Sequence, residues 1–418
     1  MSATRSANVE TAIQWSAGNS RPILMIPGPT ELPWPVIQAM NQPPTIQYDL
    51  NFDLNVLEPT CLALKEVVQT KSGEVILLPG SGRTGLEAAA VSAVEPGDRA
   101  VVVVAGQFGV LMHEIMKRVG AEVTALSVEW GQPLDLRALE RTVDRVKPKV
   151  LTLVHNETST GSTYPAKEVG RIARQAGALY LLDAVSSLAG LDVRTDEWGV
   201  DFNMAGSQKC LAAPLGMALV AVSTRAWEVM EKRSRPAGSW VYDLHRWREL
   251  WVPTSRGGRI PDGHPRRQPI SIPTHLTAAI RAATDLILAE GITHRFARHA
   301  VAGQAFRAGL EAIRLELFPD RSIVSDTVSC FKAPSGIDAG TVVGQMRDRY
   351  GILIGTGLRQ MRATTLRVGH MGITASPHYI LPTLSALELA LRDLGCKSEP
   401  GAAVAAAQSV FANAAPHL

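Results

Sequence analysis

Two charged residues in the middle of the chain sit where a buried charge needs a reason. Asp183 closes an apolar, strand-like run, Ala178-Leu-Tyr-Leu-Leu182, and small or polar residues follow it from Ala184 to Ser187. A second short run, Val200-Asp-Phe-Asn-Met-Ala205, leads into Gly206-Ser-Gln-Lys209. An amine held between small residues can form a Schiff base with an aldehyde. A carboxylate at the end of a buried strand can keep a pyridine nitrogen protonated, so that the ring accepts electrons. Together they meet the needs of pyridoxal 5′-phosphate chemistry. The competing explanation is structural: a buried acid paired with some arginine.

The sequence around the pair favours the chemical reading. DAVSSLAG, DEWGVD and GSQKCLAAPLGM, with HNETSTG from His155 to Gly161 and LRVGHMG from Leu366 to Gly372, resemble the class V (fold-type I) aminotransferases, specifically the alanine–glyoxylate and serine–pyruvate group. The resemblance runs from about Pro22 to about Leu394. It implies a homodimer with active sites at the subunit interface, Lys209 as the cofactor lysine and Asp183 as the pyridinium partner. It also implies that Thr158 reaches the O3′ side of the cofactor, that Phe108 stacks on its face, and that Val185 and Gln208 line the pocket. Arg367 would grip the substrate α-carboxylate, and a bidentate guanidinium suits that task. The Pro27-Gly28-Pro29 turn and the loop carrying Gln47 match places that face substrate. Ser271, in Gln268-Pro-Ile-Ser-Ile-Pro273, matches a hydroxyl that reaches the phosphate held by the other subunit. Gln268 falls where relatives vary with substrate. The donors implied are small amino acids such as alanine or serine, with glyoxylate or pyruvate as acceptor. Ureidoglycine–glyoxylate and pyridoxamine–pyruvate transamination are the alternatives within the family. The pyridoxamine enzymes place an acid where this chain has Ser81. From another class, a non-catalytic binding protein on the same fold would not need the complete Asp183, Lys209 and Arg367 set.

The elements that must position these residues read as a β-α alternation. Glu74-Val-Ile-Leu-Leu-Pro-Gly80 is a strand, Ser81, Gly82, Arg83 and Thr84 form a turn, and an alanine-rich helix runs to about Val94. Free N–H groups and the helix dipole make such a turn an anion site. Gly80, Gly82 and Gly85 also spell G-x-G-x-x-G, but a dinucleotide fold needs an acid at the end of the next strand. Here Ala100 to Val104 ends in Ala-Gly-Gln-Phe-Gly, so a phosphate turn is the better reading. Strands at Glu122–Leu126 and Lys149–His155, with helices at His113–Gly120, Pro133–Val146 and Ala166–Gln175, complete the rhythm. They predict an α/β fold: a large domain with a mostly parallel sheet wrapped by helices. Beyond Gly291, strands at Ser329–Lys332 and Ile352–Gly355 with helices at Ala339–Tyr350 and Pro377–Leu394 predict a smaller α+β domain. The expected division is an N-terminal segment over 1–21, the cofactor domain over 22–290, the small domain over 291–396 and an Ala-rich tail over 397–418 that forms a loose terminal helix. Trp240, Trp247 and Trp251 are read as pinning a Gly/Pro-rich insertion that runs to Gln268.

With 418 residues, 46% hydrophobic and a net charge of +3 on interspersed acids and bases, the chain is an ordinary globular α/β protein. Nothing in the charge pattern points to nucleic acid or an anionic membrane. Four cysteines without metal-like spacing suggest reduced thiols in a cytoplasm, and no metal is expected. The N-terminus lacks the apolar core of a secretion signal, and no run is long enough to span a membrane.

Overall fold

The computed structural model describes residues 21–43 and 45–414. The expected N-terminal segment therefore lies, apart from Arg21, outside the described residues. The centre is a seven-stranded sheet. Its strands are β1 (Glu74–Gly80), β2 (Arg99–Val104), β3 (Glu122–Ser127), β4 (Val150–Val154), β5 (Leu179–Asp183), β6 (Phe202–Gly206) and β7 (Gly216–Val222). They lie in the order β1-β7-β6-β5-β4-β2-β3. β4, β5 and β6 are buried along their whole length. Unbroken apolar runs of this kind suit a sheet covered on both faces. The cover comes from helices α1 (Gly82–Ala93), α2 (Gln107–Arg118), α3 (Leu136–Val146) and α4 (Ala166–Gln175), each following a strand.

Neighbours from β3 to β6 pair in parallel, whereas β7 runs antiparallel to both β6 and β1. The connection 207–215 explains the reversal, because a parallel crossover needs a dozen or more residues and usually a helix. Lys209 therefore sits in a tight loop just past the carboxyl end of β6. Asp183 lies opposite Met204 and Val154 in the neighbouring strands, so the carboxyl ends of β4, β5 and β6 are level.

Helix α5 (Thr274–Glu290) breaks at Gly291, whose φ of +83° only glycine takes readily, and α6 (Ile292–Ala312) follows. A second, separate core collects around α6, β8 (Val328–Lys332), α7 (Ala339–Tyr350), β9 (Gly355–Thr356), β10 (Thr365–Gly369) and α8 (Pro377–Asp393). Three points differ from the division expected from sequence. Ile23–Leu24 pairs in parallel with Ile352–Leu353, and Met25 is buried in the second core, so the start of the cofactor-domain segment belongs with the small domain. The run expected as one strand over 352–355 divides between two sheets: Ile352–Leu353 takes the N-terminal segment and Gly355–Thr356 pairs with β10. The tail is not loose, since α9 (Ala402–Ala414) packs on α6 and α8 with Ala403 and Ala407 fully buried.

Trp247 and Trp251 are buried edge to face at 5.5 Å, and the Trp251 indole donates to the Val75 carbonyl at 2.9 Å. These two tie the insertion to β1, whereas Trp240 stays exposed under the Arg246 guanidinium. No helix among the described residues is long and apolar enough to cross a membrane.

Candidate active site

A cavity of about 460 Å³ opens at the carboxyl ends of the central strands, where open α/β sheets place their ligands. Gly28, Ser81, Gly82, Arg83, Phe108, Thr158, Asp183, Val185, Gln208, Lys209 and Arg367 all line it. Gln47, Gln268 and Ser271 do not. Gln47 Nε2 donates to Ser271 Oγ at 2.9 Å in an exposed contact, and Gln268 is buried with its amide donating to the Arg266 carbonyl at 3.3 Å.

Each wall has a local cause. Ser81 precedes α1, and its N–H is taken by Thr84 Oγ1 at 3.2 Å. Gly82 and Arg83 line the cavity, and their N–H groups belong to the first helical turn, where a helix has no internal acceptors. A Cβ on Gly82 would come within 2.6 Å of Val185, so that glycine lets α1 approach the loop after β5. Arg83 is exposed and makes no hydrogen bond with the described residues.

Asp183 is 5% exposed, and its carboxylate has one donor among the described residues, Val185 N–H at 2.9 Å. Burial, with a smaller contribution from the Glu157 charge, pushes its pKa up to about 7, an effect that the Val185 N–H and then the Lys209 charge only partly offset. A carboxyl in that state lacks a cation. Lys209 has the opposite perturbation: burial first, then the positive charge of Arg367, pull its amine down to about 8. Its chain lies across Gly28, where an added Cβ would meet the lysine Cδ at 2.4 Å, and Nζ contacts the Pro27 carbonyl. The neighbouring Cys210 is no nucleophile, since burial raises its thiol to about 11.

Arg367 reaches in from β10 of the small domain. Its Nε donates to the Thr356 carbonyl at 2.8 Å and Nη1 to the Thr158 carbonyl at 3.0 Å. No ion pair to Arg367 occurs among the described residues, although burial pulls its pKa down. A half-buried guanidinium bordering a cavity without a carboxylate partner is a standing site for an anion.

The cavity also holds residues to which the sequence reading gave no role. Asn156 and Ser186 line it, joined by an amide-to-hydroxyl bond of 2.9 Å. Both lie inside motifs already singled out, HNETSTG and DAVSSLAG, and the density of polar residues at a strand's carboxyl end was the available signal.

Residues 51–248 match the family model for class V aminotransferases. An uncharacterised aminotransferase of Methanocaldococcus jannaschii is 37% identical to this chain, over 92% of the chain and 96% of the relative. This chain belongs to the class V aminotransferases. The (S)-ureidoglycine–glyoxylate transaminase of Bacillus subtilis is 33% identical, covering 94% of the chain and 95% of the relative. The crystal structure of the Bacillus subtilis ureidoglycine–glyoxylate aminotransferase superposes with a TM-score of 0.87 over 94% of this chain and 99% of that one. A serine–glyoxylate aminotransferase of Arabidopsis thaliana is 32% identical, over 96% and 97% respectively. The chain is a transaminase on the fold-type I scaffold.

Proposed function

We propose that the cavity binds pyridoxal 5′-phosphate and moves the amino group of a small α-amino acid, of alanine or serine type, to a small 2-oxo acid such as glyoxylate or pyruvate. The unpaired Arg367 bordering the same cavity as Lys209 and Asp183 carries this reading. The residues fit the cofactor on three counts. The first turn of α1 offers N–H groups to a phosphate, the Asp183 carboxyl lacks the cation that a protonated pyridine would supply, and Lys209 offers an amine between them. When bound, the cofactor supplies an aldehyde that takes up the amino group and a ring that accepts the electron pair left as the α-proton departs.

The chain's own residues divide the remaining work. Lys209, neutral when free, takes the proton from the substrate Cα, and its depressed pKa raises the neutral fraction far above that of an ordinary lysine. Asp183 as an anion holds the pyridine N–H, and that positive partner reverses the shift caused by burial. Arg367 fixes the α-carboxylate, so that the Cα–H bond faces Lys209. Apolar Val185, Leu86, Leu358 and Phe108 line the same cavity and reduce water around the charges. We further propose a homodimer, with Ser271 serving the partner's site, and a cytoplasmic setting that suits four free thiols.

The test is a donor panel with glyoxylate and pyruvate as acceptors, run on the wild type and on Arg367→Lys. Alanine, serine and ureidoglycine are compared with a carboxylate-free amine. The lysine keeps the charge and loses the fork, so KM should rise roughly 10- to 100-fold for both amino and keto acid. The amine, if used at all, should be unaffected. Equal loss on all donors, or a wild type that prefers the amine, refutes the α-amino-acid reading.

A further inference from the structure

Glu157 does not line the cavity, yet Phe108 is bonded to it and Thr158, the residue next to it in the chain, holds Arg367. It is fully buried in a two-residue strand, Asn156–Glu157, that pairs with Ser162–Thr163 between β4 and α4. Its Oε2 accepts the N–H groups of Phe108 at 2.9 Å and Gly109 at 3.2 Å. Its Oε1 accepts the Ser159 N–H at 3.1 Å and the Ser159 hydroxyl at 2.6 Å. The same hydroxyl accepts the N–H of Gln107 at 2.9 Å. The three leading N–H groups of α2 are thus satisfied from another loop, because the residue before that helix, Gly106, has no side chain to cap it. Gly106 is required by the arrangement: an added Cβ would lie 2.4 Å from the Glu157 carboxyl and 2.6 Å from Ser159 Oγ.

We infer that Glu157 is a positioning residue for the transamination site: its carboxylate fixes in one frame the Phe108 ring at the cofactor face and the backbone that holds Arg367. The second half of that statement follows from chain continuity. Thr158 lies between Glu157 and Ser159, and its carbonyl accepts from Arg367 Nη1. Four donors, two on each oxygen, favour the charged form of this carboxyl. Burial pushes Glu157 upward, while the hydrogen bonds from Ser159, Gly109 and Phe108 oppose that shift. The anion also sits at the positive end of the α2 dipole and favours the charged form of Arg367.

The inference rests on the cofactor reading of the cavity, and its test separates the two. Glu157→Gln keeps the shape but turns an NH₂ toward two of the four donors. With pyridoxal 5′-phosphate alone as the probe, its dissociation constant should rise about 10- to 100-fold, the scale of a damaged buried hydrogen-bond set to a charged group. The circular dichroism of the bound cofactor's visible band should shrink, because that signal reports how firmly the ring is held, and KM for the amino acid should rise more than kcat falls. If Glu157→Gln does not fold, Ser159→Ala removes one donor from Oε1 and the acceptor of Gln107, and should weaken cofactor binding in the same direction by less. Wild-type affinity and an unchanged visible band in whichever variant folds would make Glu157 a helix cap only. A wild type in which borohydride reduction puts no cofactor on Lys209 would overturn the cavity reading and this inference together.

Discussion

At the scale of single residues, the site is defined by charges that the fold leaves incomplete. Lys209 has its proton affinity lowered, Asp183 has it raised, and Arg367 has no carboxylate partner among the described residues. The lysine shift gives a pH prediction. Only the neutral amine attacks an aldehyde, so capture of pyridoxal 5′-phosphate by the free protein should speed up as pH rises and level off above about 8. A lysine at its ordinary 10.5 would keep accelerating to much higher pH. Between those two values the unfolded chain holds a proton that the folded chain lacks, so stability of the cofactor-free protein should also rise with pH there. Stopped-flow absorbance measures the capture rate. Because Arg367 is the second cause of the shift, Arg367→Gln should move the plateau to higher pH. A plateau that stays put would mean burial alone sets the amine.

At the scale of elements, the strand–helix rhythm from Glu74 to Ala205 was legible because buried parallel strands are unbroken apolar runs and the first four strands lead into helices. Asp183 and Lys209 were legible for the same reason, as charges at the ends of such runs. Three things were not. The direction of β7 depends on how short the 207–215 connection is, which apolar patterning does not report. The stretch 352–355 looks like one strand and serves two sheets. The alanine-rich tail carries almost no amphipathic signal, since its docking face is made of alanines and meets α6 at a glycine, Gly309. At Gly309 a Cβ would lie 2.9 Å from the Ala403 carbonyl and 2.5 Å from Leu384. Buried Glu388 of α8 accepts the N–H groups of Gly401 at 2.7 Å and Ala403 at 3.2 Å, capping α9. Close backbone approach is what those small residues are for. Ala403→Leu should therefore overpack the contact and destabilise the protein by about 1–3 kcal/mol, seen as a lower melting temperature, with kcat unchanged. No loss of stability would place the tail helix off the second core.

At the scale of the whole molecule, the proposed homodimer explains what one chain leaves unfinished. Among the described residues, Trp34, Ile46, Tyr48, Leu215, Trp240 and Ile270 are large apolar side chains left exposed. Gln47 and Ser271 were read as site residues, yet they meet each other away from the cavity of their own chain, within these exposed stretches. The resemblance assigns Ser271 to the partner's site, and its place outside its own chain's cavity is what the proposed dimer requires. A two-fold interface is self-complementary, so each copy would lend Ser271 to the other and borrow the same in return. This predicts complementation. Lys209→Ala destroys the site in its own chain, and Ser271→Asp sets a carboxylate against the phosphate in the partner's site, where like charges repel. Each homodimer should be nearly inactive. After unfolding and refolding together, half of the dimers are mixed, and each mixed dimer carries one site with both defects and one with neither. Activity should return to about a quarter of the wild-type value by that statistical argument. Mixtures that stay inactive, while light scattering reports dimers throughout, would show that Ser271 serves the site of its own chain.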